Sequence, residues 1–221
     1  MKYSAAIDLS GKFAGFALGE TASGKTLLSE HTAMQGRSSS TLSNWILGLM
    51  AKFNVTPKQI DKWSVGSGPG SFTGMRLVAA LITGMTMGRD DVKTRCVPSA
   101  LALGNVDELA EGDKVAALFD GRNKEILLFE LIKQAGELIP SGKTEVLNQE
   151  QAKDFFAENY YPQIAALDYD SGNLKAVMPP EEFAKINWFE HLDFKKLIAC
   201  KYKDFDNDLT ALIYIRPAVF S

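Results

Sequence analysis

The stretch GSGPGSFTGMRLVAALITGM, residues 66–85, places a glycine-rich loop between a short apolar run and a helical pattern. Glycine permits positive φ and close backbone approach, and hydroxyl side chains can cap the helix that follows. A loop in this position also presents N–H groups where the helix dipole favours anions. The residues therefore predict either a sharp structural turn or a phosphate-binding loop, with the candidates Gly68, Gly70, Ser71, Thr73 and Gly74.

The helix predicted over residues 74–88 is apolar on nearly every side, with Arg76 as its one charged residue. One face carries Met75, Val78, Ala79, Ile82 and Met85, and another carries Leu77, Ala80, Leu81, Gly84 and Gly88. A helix that is apolar all round needs cover on all sides. The pattern leaves two alternatives open: a second layer of the same chain or a partner subunit.

The rest of the first half alternates strand and helix patterns. Three short apolar runs, at 3–9, 12–19 and 25–32, predict a strand meander, and a helix is expected from Leu42 to Asn54. Strands are predicted near 63–65 and 94–97, and Pro98 is expected to open a helix that runs to about Ala110.

The second half repeats this pattern. KVAALFDGRNKEILLFEL, residues 114–131, resembles the opening strand, turn and strand of the chain, which suggests two lobes related by duplication. A helix is predicted over 149–158, a strand over 164–168, a helix over 179–186, and a final strand within LTALIYIRPAVF. The expected lobes are residues 1–111 and 112–221, with the boundary near Gly112.

Composition narrows the class of protein. The 221 residues are 46% hydrophobic with a formal net charge of -3, which disfavours a protein that holds nucleic acid by itself. Cys96 and Cys200 indicate neither a disulfide framework nor a thiolate metal site. Because no signal peptide or long apolar run is evident, the expected location is the cytoplasm, with no membrane contact.

GETASGKT, residues 19–26, matches the pattern of a P-loop, in which Lys25 would reach phosphates and Thr26 would ligate magnesium. VAALFD, ending at Asp120, has the shape of the magnesium-binding strand that usually accompanies a P-loop. A P-loop precedes a substantial helix, however, and the residues after Thr26 offer barely two helical turns. A hairpin turn is therefore the favoured interpretation, and a phosphotransferase or NTPase remains the alternative.

Other catalytic patterns are missing. His31 and His191 are the only histidines, and neither occurs in a paired metal-binding spacing. We expect His31 to be a surface or satisfied structural residue and His191 to pack among aromatic residues. No G-x-S-x-G nucleophile motif occurs. Asp8 and Asp120 end buried strands and could orient magnesium or a nucleotide, or could simply cap turns.

GPGSFTGMRL resembles the signature of the bacterial TsaB, or YeaZ, family of threonylcarbamoyladenosine biosynthesis proteins. AAIDLS, VPSALAL, FDGRNKEILLFEL and IYIRP are similar to further family segments in the same order. The resemblance implies an α/β actin-like fold, shared with acetate kinase and the heat-shock ATPases. Such a fold has two related lobes, each with a mixed sheet and flanking helices.

The resemblance also implies a function. TsaB proteins are noncatalytic scaffold subunits that pair with their paralogue TsaD, which modifies N6 of the adenosine next to the anticodon in tRNAs reading codons that begin with A. The ATPase TsaE joins them, tRNA is bound only through the complex, and the lone chain is expected to form a homodimer. By this resemblance the first two helices form the partner interface, through Leu42, Trp45, Ile46, Leu49, Met75, Val78, Ala79 and Ile82.

No cofactor of its own and no metal site are expected for this chain. ATP or ADP with Mg²⁺ at the subunit interface is left open, with Asp8 and Ser10 joining the glycine loop as candidate nucleotide or phosphate ligands. The family usually opens with Ile-Asp-Thr-Ser, whereas this chain has Leu9 in place of the threonine. One hydroxyl that could face a phosphate is therefore lost.

Overall fold

The structure is a computed structural model that describes residues 1–34 and 40–215. The chain forms two compact units: the first unit is Met1–Ala102 with Asp193–Ile213, and the second unit is Leu103–Leu192 with Tyr214. The division thus falls at Leu103 instead of near Gly112, and a late segment of the chain returns to the first unit. No helix of the described residues has the length and apolar character needed to cross a membrane.

Each unit is built on a five-stranded mixed sheet. The strands are β1 Tyr3–Asp8, β2 Phe13–Glu20, β3 Thr26–Ala33, β4 Ile60–Gly66, β5 Lys93–Val97, β6 Lys114–Asp120, β7 Ile126–Gln134, β8 Glu137–Leu147, β9 Gln163–Leu167 and β10 Ile186–Phe189. The helices are α1 Leu42–Ala51, α2 Phe72–Thr86, α3 Gln149–Glu158, α4 Ser171–Val177, α5 Pro180–Phe183 and α6 Phe194–Ala199. Short 3-10 turns occupy Pro57–Gln59, Ser99–Ala102 and Asp168–Asp170.

The two sheets have the same topology. The first sheet has the order β3-β2-β1-β4-β5, and the second has the order β8-β7-β6-β9-β10. Strand β1 pairs antiparallel with β2 and parallel with β4. In the same way, β6 pairs antiparallel with β7 and parallel with β9. The repeated order confirms the prediction of an actin-like α/β fold with two related lobes.

Helices cover both faces of the first sheet. Ile7, Phe16 and Trp63 are fully buried in a cluster that includes the inner residues of α1 and α2. Successive strand residues point to opposite faces, so Gly15, next to Phe16, faces the other side. There the ring of Phe194, in α6, occupies the space that a larger side chain at position 15 would need. A Cβ at Gly15 would lie only 1.9 Å from this ring.

Arg95 attaches the returning segment 193–213 to the first sheet. Its side chain is buried and donates to the hydroxyl of Ser64 at 2.9 Å, to the carbonyl of Ile198 at 3.0 Å and to that of Lys203 at 2.7 Å. The guanidinium also lies 4.2 Å from the centroid of the Phe205 ring. Five fixed donors on one cation can hold several carbonyls at once, which suits an irregular segment.

The second unit has its own core, formed where α3 and α4 pack on its sheet. The helix predicted over 149–158 is confirmed, and a capping box explains where it starts: Asn148 accepts from the Gln151 N–H, and the Gln151 side chain accepts from the Asn148 N–H, both at 3.0 Å. The hairpin predicted within 114–131 is also confirmed as β6 and β7.

Tertiary contacts override several predicted elements. The helix expected from Pro98 to Ala110 is wrong: only the turn Ser99–Ala102 forms, and a Cβ at Gly104 would meet Leu138 at 2.1 Å. The helix expected over 179–186 shortens to α5 and is followed by β10. The described part of the final predicted strand, 209–215, is not a strand, and the remainder lies outside the described residues.

Three further elements were not predicted: β8, α4 and α6. Strand β8 contains Pro140 and Gly142, which are ordinarily turn signals. It tolerates them because it is an edge strand of the second sheet, where Pro140 pairs with Leu131 beside a register shift.

Candidate functional site

The carboxylate of Asp8, at the end of β1, is the centre of a buried hydrogen-bond network. Its Oδ1 accepts from the N–H and from the hydroxyl of Ser10, both at 2.7 Å, and its Oδ2 accepts from the hydroxyl of Ser99. The Gly68 N–H donates to Ser99 Oγ at 3.0 Å. Asp8 and Ser99 are fully buried, so the network joins the ends of β1, β4 and β5 inside the protein.

Burial controls the protonation of this carboxyl. It raises the pKa of Asp8 above the ordinary value, while the hydrogen bonds from Ser99 and Ser10 act in the opposite direction. The sequence pointed to Asp8 and Ser10 but not to Ser99. The one available signal was a serine directly after Pro98, just beyond a buried strand.

The glycine loop packs directly against the chain that leaves β1. A Cβ at Gly70 would lie 2.2 Å from the Ser10 carbonyl oxygen, and a Cβ at Gly74 would lie 1.9 Å from that of Leu9. A Cβ at Gly66 would lie 1.7 Å from Asp8 Oδ2. Gly68 and Gly70 also have positive φ. These glycines are therefore required by close backbone packing, which is the structural alternative of the two predicted from the sequence.

Several donors of the loop already have protein acceptors. The Ser71 N–H donates to the Ser10 carbonyl at 2.6 Å, and the Gly74 N–H donates to Ser71 Oγ at 3.2 Å, so the hydroxyl that caps α2 is that of Ser71 and not that of Thr73. Thr73 is exposed. With both oxygens of Asp8 and the N–H groups of Gly68, Ser71 and Gly74 engaged, these groups do not fit a phosphate or a magnesium ion as arranged. Phosphate binding by this set stays a prediction.

The predicted partner face needs a correction. Leu42, Ile46, Leu49, Met75, Val78, Ala79 and Ile82 are all buried within the first unit, and Trp45 is partly buried against the same core. Helical periodicity correctly identified one apolar stripe on each helix. In the structure, however, these stripes pack on the sheet and do not face outwards. These residues are unavailable to a partner in this conformation.

The opposite side of α2 is the surface that meets solvent. Ala80 and Gly84 are exposed, and Leu77 and Leu81 are partly exposed. The Thr83 hydroxyl donates to the Ala79 carbonyl within the helix at 2.8 Å, which satisfies a polar group on this side. On α1, Leu47, Gly48 and Ala51 are exposed in the same way. We call these seven residues the outer face of α1 and α2.

GETASGKT forms a hairpin between β2 and β3. The Glu20 N–H donates to the Lys25 carbonyl at 2.9 Å, and the Gly24 N–H donates to the Glu20 carbonyl at 2.9 Å. Gly24 has a φ of 69°, and Thr26 begins β3. The favoured interpretation is confirmed, because a P-loop would lead from its strand into a helix and no helix follows here.

The remaining candidates have local roles. Asp120 is exposed at the end of β6, where its Oδ1 accepts from the Arg122 N–H at 2.7 Å. His31 lies edge-on to Phe13, with ring centroids 5.4 Å apart. Nδ1 of His191 lies 2.9 Å from the Leu192 carbonyl. Within residues 1–34 and 40–215, no group of three or more His, Cys, Asp or Glu side chains is placed to hold a metal ion.

Comparisons with known proteins agree with the resemblance. A family model described as TsaD, tRNA N6-adenosine threonylcarbamoyltransferase, matches residues 29–181. The tRNA threonylcarbamoyladenosine biosynthesis protein TsaB of Haemophilus influenzae is 28% identical over 87 residues, which is 39% of this chain. The matched stretch spans 36% of that relative's length.

Solved structures are similar over nearly the whole chain. YeaZ from Pseudomonas aeruginosa is 22% identical with a TM-score of 0.67, and the match covers 90% of each chain. The crystal structure of an uncharacterized protein with similarity to peptidase YeaZ, also from Pseudomonas aeruginosa, is 20% identical with a TM-score of 0.71. That match covers 98% of this chain and 100% of the other. At these identities the two matches show a shared fold.

Proposed function

The chain belongs to the family described as TsaD, tRNA N6-adenosine threonylcarbamoyltransferase, and within it to the TsaB, or YeaZ, proteins; on this premise we propose a noncatalytic subunit. Its partner is a TsaD protein, which it supports during the transfer of threonylcarbamoyl to N6 of an adenosine in tRNA. TsaE is a further member of the proposed complex.

The outer face of α1 and α2 is the observation that carries the proposal. Its side chains are apolar or absent, and the glycines Gly48 and Gly84 have nothing within 4 Å of the position of a Cβ. Small residues let another helix approach closely, and flanking leucines such as Leu81 supply apolar area to bury. Exposed apolar patches mark interaction sites on soluble proteins. A second copy of the chain would cover the same face when TsaD is absent.

The Asp8 network supports a role without chemistry of its own. A catalytic carboxylate must reach a substrate or a metal ion, whereas Asp8 is fully buried and both of its oxygens accept from serines of the same chain. The expectation that any metal or nucleotide chemistry belongs to TsaD is part of this proposal.

Ala80→Glu is the variant that tests the outer face. A carboxylate on this exposed alanine leaves the core untouched but places a charge in the middle of the proposed interface. We expect at least a tenfold loss of affinity for purified TsaD in a titration, and dissociation of the lone protein to monomers in sedimentation. Threonylcarbamoyl transfer with TsaC, TsaD and TsaE should fall in parallel.

Ala157→Glu is the matched control, since Ala157 is exposed on α3 in the second unit. It should leave TsaD affinity within about twofold, as expected for a surface substitution outside an interface. Wild-type protein that does not bind TsaD, or equal affinities for both variants, would reject the proposal. Ala79→Glu is unsuitable because Ala79 is 8% exposed and faces the core.

A phosphotransferase is the weaker alternative, because its sequence motif is the β2–β3 hairpin. Titration of the lone protein with Mg-ATP should give no turnover, and Lys25→Ala should not change any nucleotide signal. Hydrolysis by the purified chain that is lost in Lys25→Ala would establish the alternative instead.

A further inference from the structure

The formal charges are divided unevenly between the two units. The first unit, Met1–Ala102 with Asp193–Ile213, contains 15 Lys and Arg against 10 Asp and Glu. Leu103–Leu192 of the second unit contains 8 against 17. The net charge of -3 for the whole chain is therefore the sum of a basic first unit and an acidic second unit. Such asymmetry between parts of a chain is a recognised indicator of nucleic-acid contact.

The returning segment 193–213 has four lysines and four aspartates, and its lysines are gathered in its first half. KKLIACKYK, residues 195–203, has four lysines and no acidic residue in nine positions. Lys195 and Lys201 are exposed, and Tyr202, between two lysines, is 39% exposed. Lysines interleaved with an exposed aromatic ring are a pattern that serves both phosphate contacts and base stacking.

The sheet beneath the segment adds to the same surface. Lys62 in β4 is the register partner of Lys93 in β5, two residues before Ser64 and Arg95, so all four share one face of the sheet. The Lys62 ammonium lies 5.5 Å from the centroid of the Phe205 ring, on which Arg95 also stacks. We call the combined set the lysine surface: Lys62, Lys93, Lys195, Lys196, Lys201 and Lys203.

Four aspartates, Asp193, Asp204, Asp206 and Asp208, flank the lysines of the returning segment. Lys203 pairs with Asp206 at 3.1 Å, and Asp204 and Asp208 lie nearby in the sequence. The carboxylates of Asp206 and Asp208 accept from backbone N–H groups of their own loop, at 3.2 Å from Asp208 and 2.8 Å from Thr210. One oxygen of each carboxylate is therefore held by the loop backbone, while the other oxygen of Asp206 pairs with Lys203.

We infer that the lysine surface binds the phosphate backbone of RNA, so that this chain contributes its own contact to the nucleic acid. The identification of that RNA as tRNA rests on the proposed function. Because α6 packs on the sheet face opposite to α1 and α2, a partner on the outer face and RNA on the lysine surface can be bound together. This revises the expectation that tRNA is bound only through the complex.

The test uses the full-length chain and a fluorescein-labelled tRNA transcript, with anisotropy measured between 50 and 200 mM KCl. Lys93→Glu/Lys195→Glu/Lys201→Glu reverses three exposed lysines of the surface. Each phosphate contact contributes about 0.7 to 0.9 to the slope of log affinity against log salt concentration. We expect at least a tenfold loss of affinity at 50 mM KCl and a slope reduced by about two.

The control Lys124→Glu/Lys153→Glu/Lys175→Glu reverses three exposed lysines of the second unit and changes the net charge equally. It should retain affinity within about twofold. Wild-type protein that does not bind the transcript at 50 mM KCl, or equal losses in both triple variants, would overturn the inference. So would equally tight binding of a charge-matched polyglutamate, which would indicate an acidic protein partner.

Two readouts separate this inference from the proposed function. The Lys93/Lys195/Lys201 variant should bind TsaD like wild type, and Ala80→Glu should bind the transcript like wild type. Loss of TsaD binding in the lysine variant would count against separate surfaces. If glutamates at the three positions unfold the protein, glutamines there should still lower the salt slope by about two.

Discussion

Asp8 and Asp120 end equivalent strands of two sheets with the same order, yet their surroundings differ completely. Asp8 is fully buried and accepts three hydrogen bonds from serines. Asp120 is exposed, accepts from the Arg122 N–H, and has its own N–H bound to Asp170 Oδ2 at 3.2 Å. Topology alone therefore does not determine what a carboxylate at this position does.

The difference comes from the loops that cross above each carboxylate. In the first unit the glycine loop brings the start of α2 against the backbone of Leu9 and Ser10, and Ser99 closes the corner. In the second sheet the strand equivalent to β4 is β9, and the helix that follows it is α4. A Cβ at Gly172, in the first turn of α4, would have nothing within 4 Å. One corner is closed by packing and the other remains open.

The largest expected effect comes from Gly74→Ala, which adds a methyl group at the closed corner. The new Cβ would lie 1.9 Å from a backbone oxygen, so α2 must move away from the β1 end. We expect a loss of about 3 kcal/mol in the free energy of unfolding, measured by urea denaturation. Gly172→Ala, in the first turn of α4, should be neutral or stabilising by up to about 1 kcal/mol. Similar effects at both positions would refute the comparison.

Ser99→Ala should have the next largest effect. It deprives Asp8 Oδ2 of a donor and the Gly68 N–H of an acceptor, both in a buried site. We expect destabilisation by about 2 kcal/mol in the same urea experiment. Asp170→Ala removes the acceptor for the Asp120 N–H at the open corner, where water can replace it, and should cost less than about 1 kcal/mol. The interpretation fails if Asp170→Ala is the more damaging change.

The smallest effect is a dependence on pH at Asp8. Burial raises the pKa of this carboxyl above its unfolded value near 3.8, so the folded state takes up the proton more readily. Lowering the pH from neutrality towards 4 should therefore stabilise wild type relative to Asp8→Asn, which cannot be protonated there. Urea denaturation of both proteins at pH 7 and pH 4.5 measures the difference. If the stability of wild type relative to Asp8→Asn instead fell between pH 7 and pH 4.5, the serine hydrogen bonds would outweigh burial in setting the pKa of Asp8.

Local patterns predicted much of the fold because local residues dictate it. Strands β1 to β5, helices α1 and α2, the β6–β7 hairpin and helix α3 follow from apolar spacing and caps such as Asn148. The elements that were missed depend on distant partners. Helix α6 forms where Phe194 fills the space above Gly15, and β8 keeps its proline because it is the edge strand of the second sheet among the residues that the structure describes.

The candidate site divides in the same way. The sequence identified the glycine loop, Asp8 and the apolar character of α2, because residue type and period are visible in one dimension. It placed the partner face on the core side, since Ala79 and Ala80 are equally apolar and only the position of the sheet separates them. The outer face became identifiable once burial was known.

By itself, the sequence determined the alternation of strands and helices, the duplicated pattern and the glycines that permit a tight loop, because these depend on neighbouring residues. Tertiary structure alone decided that Asp8 is enclosed while Asp120 is exposed, which side of α2 meets solvent, and that residues 193–213 return to the first unit. Those outcomes depend on which distant segments exclude water from a given side chain, and no local spacing encodes that.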